Sequence, residues 1–302
     1  ALEMSGKTLE KVSTIFFTLN ESNNSEQTVE IENYVVPKMT EINGYIFMND
    51  TLFNRIKTLY DNRATLGLNE EQSIVLENYY QGFVRGGALL NAEEKAKLLD
   101  IDTKLGLLSV QFGNNLLADN KAFKLVITDE ADLKGLPQDV IEAAKSEDGT
   151  WVFTLDKPSC IPFLQYADNR ELREKVYKAY YGRGDNNDAN DNKAIIKEIL
   201  ILRQQKAKLL GFESYAHFVL DEKMAKTPEA ALALMNSIWK PAVQRAKEER
   251  AELQKMDAGI EAHDKGNTEG QQPEQHALPA VFLHASHVQL QAGKEHDIID
   301  AH

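Results

Sequence analysis

The sequence predicts a mainly α fold, a multi-helical array with a small two-stranded β insert. Three observations predict it. Apolar residues recur on a 3.6-residue period through most of the first 256 residues. Polar N-cap signatures stand just ahead of several of these stripes. The period changes in one region, about 123–155, where two short runs are rich in β-branched and aromatic residues.

Taken in order, Ala1 to Leu19 reads as a helix ending in the polar run Asn20-Glu-Ser-Asn-Asn-Ser25. Ser25 then caps a second helix with Val29, Ile31 and Val35 apolar, in which Pro37 is expected to introduce a bend. Leu52, Phe53, Ile56, Leu59 and Tyr60 form a third stripe. Asn69 with Gln72, and Asn91 with Glu94, have capping-box spacing. The first opens a helix through Val75, Leu76, Tyr79, Tyr80 and Phe83 that Gly86-Gly87 closes. The second opens a long helix whose Leu98, Ile101, Leu105, Leu108, Phe112 and Asn115 make a heptad-like seam for packing against other helices.

Phe123–Thr128 and Thr150–Leu155 then read as two strands, with a short helix between them opening at Leu136-Pro137. From Tyr166 to Asn192 the sequence gives a helix with Leu172, Val176, Ala179 and Tyr180 on one face. Asp168 and Glu171 are its expected capping box, Gly182 and Gly184 its stop, and Asp185 to Asn192 a solvated polar loop. The helix Ala194–Leu210 carries so wide an apolar surface that burial on more than one face is expected, with Gly211 as its C-cap. Ser214 starts a short helix containing His217. Thr227-Pro228 starts the last one, which runs towards Met256 with Pro241 as an expected kink.

Residues 257–302 form an atypical tail that holds every histidine except His217. The expected organisation is therefore a helical domain over 1–256, with its β insert at about 123–155, and a His-rich tail over 257–302.

Composition narrows the function. A hydrophobic content of 42% supplies a core without disulfides. The net charge of −13 argues against nucleic acid and anionic membranes as partners. No run of about 18 apolar residues reads as a membrane span, and no signal peptide is read. The chain opens Ala1-Leu-Glu-Met, which suggests processing or a piece cut from something longer. The single cysteine, Cys160, fits a reducing, cytoplasmic setting, although a periplasmic protein without disulfides would look the same.

Several blocks carry a resemblance. They are Lys124 to Pro137 (KLVITDEADLKGLP), Trp151 to Phe163 (WVFTLDKPSCIPF), Tyr166 to Asn192 (YADNRELREKVYKAYYGRGDNNDANDN) and Leu209 to Leu220 (LLGFESYAHFVL). From about Ala1 to Met256 the chain resembles the zinc metallopeptidases of the thimet oligopeptidase family, most closely the bacterial peptidyl-dipeptidase (Dcp) branch. The resemblance is to that family's N-terminal, helical, mostly non-catalytic portion. It implies a parent protein that hydrolyses short peptides with zinc, removing dipeptides from free C-termini in a channel between two helical halves.

The family's chemistry needs His-Glu-x-x-His, two zinc-binding histidines one turn apart with a glutamate that activates the zinc-bound water. No histidine of this chain is followed by glutamate. No catalytic or cofactor-binding residue of the family can be carried over, no cofactor is expected in this chain, and the chain is expected to lack that zinc-dependent activity.

Two alternatives stand beside this reading. One is a hydrolase of another kind. His284 and His287, at i and i+3, with His296, are its candidate metal ligands, and a pair among the 47 carboxylates would serve instead. The other is a non-catalytic peptide-binding module, or one that forms a homo-oligomer through the face the missing catalytic half would cover. His217 reads as packed among Tyr215, Phe218 and Val219. Cys160 reads as an inert thiol in an apolar setting.

Overall fold

A computed structural model describes residues 5–266, with side chains as far as 256. The described helices are α1 (Lys7–Ser22), α2 (Glu26–Phe47), α3 (Asp50–Asp61), α4 (Glu70–Arg85), α5 (Ala92–Ala122), α6 (Gln138–Ala144), α7 (Lys157–Tyr166), α8 (Arg170–Tyr181), α9 (Lys193–Leu209), α10 (Tyr215–Leu220) and α11 (Pro228–Gly266). The strands β1 (Leu125–Ile127) and β2 (Trp151–Phe153) pair antiparallel, with Leu125 opposite Phe153 and Ile127 opposite Trp151. The fold is mainly α with a small β insert. No described helix is long and apolar enough to cross a membrane. The chain divides after Met235 into two units. The packing below belongs to the first. In the second, α11 carries its own surface ion pairs from Arg245 to Glu248 and Glu249.

Local sequence sets most helix starts. Ser25 Oγ accepts from Thr28 N–H, and Thr28 Oγ1 accepts from Ser25 N–H at 2.8 Å, a reciprocal box that opens α2. Asn69 with Gln72 and Asn91 with Glu94 form the same box on α4 and α5. α4 and α9 end in Schellman turns. Ala88 N–H reaches Phe83 O beyond Gly87, and Phe212 N–H reaches Ala207 O beyond Gly211, both glycines having positive φ. α2 runs through Pro37 as one helix, and α11 through Pro241.

Long α5 packs on α2 and α9. The helices approach closely where side chains are absent. A Cβ on Gly44 would meet Leu99 Cδ1 at 2.9 Å, and one on Gly106 would meet Val36 Cγ1 at the same distance. α3 and α4 close a small core of Phe53, Ile56, Phe83 and Ala88. Phe83 is fully enclosed, with Phe47 at 5.1 Å between ring centroids. A larger core lies under the β insert, where Ile127, Phe153 and Leu155 meet Phe163 of α7 and Val176 and Tyr180 of α8. The Phe153 and Phe163 rings sit 4.7 Å apart, and burying each is worth roughly 2–3 kcal/mol.

Three expectations are corrected. α1 does not stop at Leu19 but runs to Ser22, and it carries Asn20 into the interior. The cap of α8 is Asn169, not Asp168. Asn169 Oδ1 accepts from Glu171 N–H at 3.0 Å and from Leu172 N–H at 3.2 Å. Asp168 is engaged elsewhere, its N–H on Lys134 O and its carboxylate 3.2 Å from Lys134 Nζ. α9 is not covered all round. Ile195, Leu202 and Ala207 are buried, while Ile196, Leu200 and Ile201 stand exposed.

Candidate functional site

The polar loop Asp185–Asn192 is exposed from Asp185 to Ala189, as expected, but together with Gly184 it is also folded about a buried carboxylate. Asp119, near the end of α5, accepts from Gly184 N–H at 2.7 Å, from Asn190 Nδ2 at 2.9 Å and from Asn186 Nδ2 at 3.1 Å. Asn192, 2% exposed, closes the loop from the other side. Its Oδ1 accepts from Asn115 Nδ2 at 2.9 Å, and its Nδ2 donates to Phe112 O at 3.2 Å. Gly184 sits at φ +71°, and a Cβ there would stand 2.8 Å from Asn192 Nδ2. Arg183 lies over the Tyr180 ring and donates to Asn120 Oδ1. Outside, Lys193 pairs with Asp185 and Asp191, and its ammonium holds the Asp191 carboxyl below its ordinary range. The asparagines thus serve architecture, locking α8 and α9 onto α5. One sequence signal pointed to this: Asn115 is the polar member of an otherwise apolar seam.

The other candidate groups are placed as follows. His217 is half-buried, with Nδ1 2.8 Å from Ser214 Oγ. Its Nε2 stands 3.8 Å from Glu213 and 3.7 Å from Glu229, both well exposed. Cys160 is enclosed in the larger core, and burial pushes its thiol up to about 11, against the opposing charge of Arg183. Among the described residues no group of three or more His, Cys, Asp or Glu side chains could hold a metal ion. They do not fit the zinc that the resemblance implies. His284, His287 and His296 lie outside the described residues.

Several helices also carry exposed apolar surface. On α2, Ile31, Tyr34, Ile42 and Tyr45 are all exposed. At 100° per residue they fall within an arc of about 80°. On α1, Leu9, Val12, Ile15 and Leu19 are exposed within about 120°. α8 exposes Tyr177 and Tyr181, their rings 4.5 Å apart, and α9 exposes Ile196, Leu200 and Ile201. Stripes of this kind are ordinarily covered by a packing partner.

The family model described as "Peptidase family M3" matches residues 163–270, a stretch reaching past Met256. A dipeptidyl carboxypeptidase of Escherichia coli is 37% identical over 260 residues, covering 84% of this chain and 38% of its own length. An oligopeptidase A of Salmonella typhimurium is 34% identical, covering 80% of this chain and 38% of its own. Saccharolysin of Saccharomyces cerevisiae is 24% identical over 73% of this chain. The chain thus spans about two fifths of the length of the dipeptidyl carboxypeptidase and oligopeptidase A relatives. With its several sequence blocks, its helical fold with one β insert, and these relatives, the chain belongs to peptidase family M3, alongside the dipeptidyl carboxypeptidases and oligopeptidases.

Proposed function

We propose that this chain is the helical, non-catalytic portion of an M3 peptidase, and that by itself it does not hydrolyse peptides. One observation carries the reading. Relatives align along 84% of this chain but only 38% of their own length, and no histidine of the chain is followed by glutamate. In the complete protein the substrates would be short peptides, shortened by dipeptides from a free C-terminus. Zinc would be held by residues that have no counterpart here. The helices of this portion would wall the channel and keep folded proteins out. The exposed stripes of α1, α2 and α9 are the faces the remainder would cover, and in its absence they favour self-association. The setting would be cytoplasmic, which a lone cysteine unable to form an internal disulfide fits.

The test is cleavage of a panel of short peptides by the purified chain, with and without a chelator. No cleavage above buffer is expected in either arm. Chelator-sensitive cleavage that disappears in His284→Ala or His287→Ala would overturn the reading in favour of a metal site in the tail. Cleavage indifferent to the chelator would overturn it in favour of a carboxylate pair.

A further inference from the structure

Near the end of α1 a buried acid meets a buried amide. Asn20, 4% exposed, donates from Nδ2 to Glu32 Oε2 at 2.8 Å, and Glu32 is itself 8% exposed. Asn114 Nδ2 of α5 approaches the same oxygen at 3.5 Å. Asn24, in the turn between α1 and α2, donates to Asn114 Oδ1, and its own carbonyl accepts from Lys121 Nζ. Every amide in this chain of contacts is engaged except at one atom. Asn20 Oδ1 is enclosed and has no hydrogen-bond partner.

An ionised carboxylate cannot supply the missing donor, because both its oxygens only accept. A carboxylic acid can. Its carbonyl oxygen takes the Asn20 N–H while its O–H serves Asn20 Oδ1. Turning the amide over does not remove the need, since Oδ1 would then face Glu32 Oε2 and call for the same proton. We propose that Glu32 is held protonated, as a two-point acid–amide pair with Asn20, and that its ionisation loosens the end of α1 from α2 and α5. This is independent of the reading of the chain as part of a peptidase.

The surroundings agree. Burial pushes the Glu32 carboxyl above the ordinary glutamate range. Hydrogen bonds from Asn114 and Asn20 oppose this, and the charge of Glu21 adds to it. The groups acting on it are Asn20 and Glu21 from α1 and Asn114 from α5, with Asn24 of the turn bound to Asn114 and Lys121 beyond Asn24. The sign follows from the raised value. The folded state binds this proton more tightly than the unfolded chain, so the pair's contribution is complete below the ordinary glutamate range. It is lost as pH rises through the raised value.

The experiment is a carbon-13 titration of the glutamate carboxyls, combined with amide exchange of Phe16 to Asn20 expressed as protection over intrinsic rates. Glu32 is expected to titrate above the exposed glutamates in the same spectra. Protection should fall about tenfold as it ionises, the equivalent of one hydrogen bond. Glu32→Gln, whose amide can both accept from and donate to Asn20, should keep full protection at every pH. Co-titration of Glu32 with the exposed glutamates would overturn the proposal, as would a pH-dependent loss that persists in Glu32→Gln.

Discussion

Replacing Asp119 by alanine removes the acceptor about which loop 182–192 is folded. Three donors lose their partner: Gly184 N–H at 2.7 Å, Asn190 Nδ2 at 2.9 Å and Asn186 Nδ2 at 3.1 Å. A hydrogen bond to a charged group contributes about 1.5–3 kcal/mol, but the three act as a unit and are not additive. The two asparagine amides regain water when the loop opens, whereas the Gly184 N–H stays enclosed and costs about 1–3 kcal/mol unpaired. The expected loss is about 3–4 kcal/mol. In urea this lowers the unfolding midpoint by about 1 M, for a slope near 3 kcal/mol per M. Asp119→Asn keeps one acceptor oxygen and should lose about half as much. The control is Asp185→Ala, which removes an exposed ion pair with Lys193 and should cost under about 0.5 kcal/mol. Unfolding is followed by far-ultraviolet circular dichroism. If Asp119→Ala unfolds with Asp185→Ala, the loop is not organised by this carboxylate.

Three further outcomes are expected. Gly135→Ala should destabilise by at least about 2 kcal/mol, because φ is +90° and the new Cβ would stand 2.2 Å from Tyr166 O. Chemical denaturation measures it, and a neutral result would mean that the turn into α6 is misplaced. Asn169→Ala should cost at least about 1 kcal/mol through its two lost cap bonds and the lost bond from its Nδ2 to Asp132 Oδ1. Asp168→Ala should cost less, its carboxylate engaging only an exposed lysine; the reverse order in urea would restore Asp168 as the cap. Cys160, enclosed and pushed up to about 11, should resist a thiol reagent at pH 8 in the folded protein and react once it is unfolded in denaturant. Prompt reaction without denaturant would show that the core beneath the β insert opens.

What the sequence made legible was mostly local. Capping boxes such as Asn69–Gln72 and Asn91–Glu94 are decided within four residues, and both are in place. The β insert was legible because the period of its side chains changes. Asp168 and Asn169 cap equally well by residue type, and what separates them is the hold of Lys134 on Asp168 and of Asp132 on Asn169, both more than thirty residues away in the chain. Asp119 was invisible for the same reason. A carboxylate on a helix reads as solvated until its partners, 65 to 71 residues later, are known. The exposed face of α9 teaches a different lesson. Apolar width along Ile195 to Leu210 reports how much surface calls for cover, and Ile196, Leu200 and Ile201 show that the cover is not supplied by the described residues.

A folded portion of an M3 peptidase without that family's catalytic centre should hold no stoichiometric zinc. The most direct measurement is elemental analysis for zinc after exhaustive dialysis, on material shown by circular dichroism to be helical. Helical protein with far less than one zinc per chain is expected. About one tightly held zinc per chain, lost on replacing His284 and His287, would contradict it and place a metal centre in the tail.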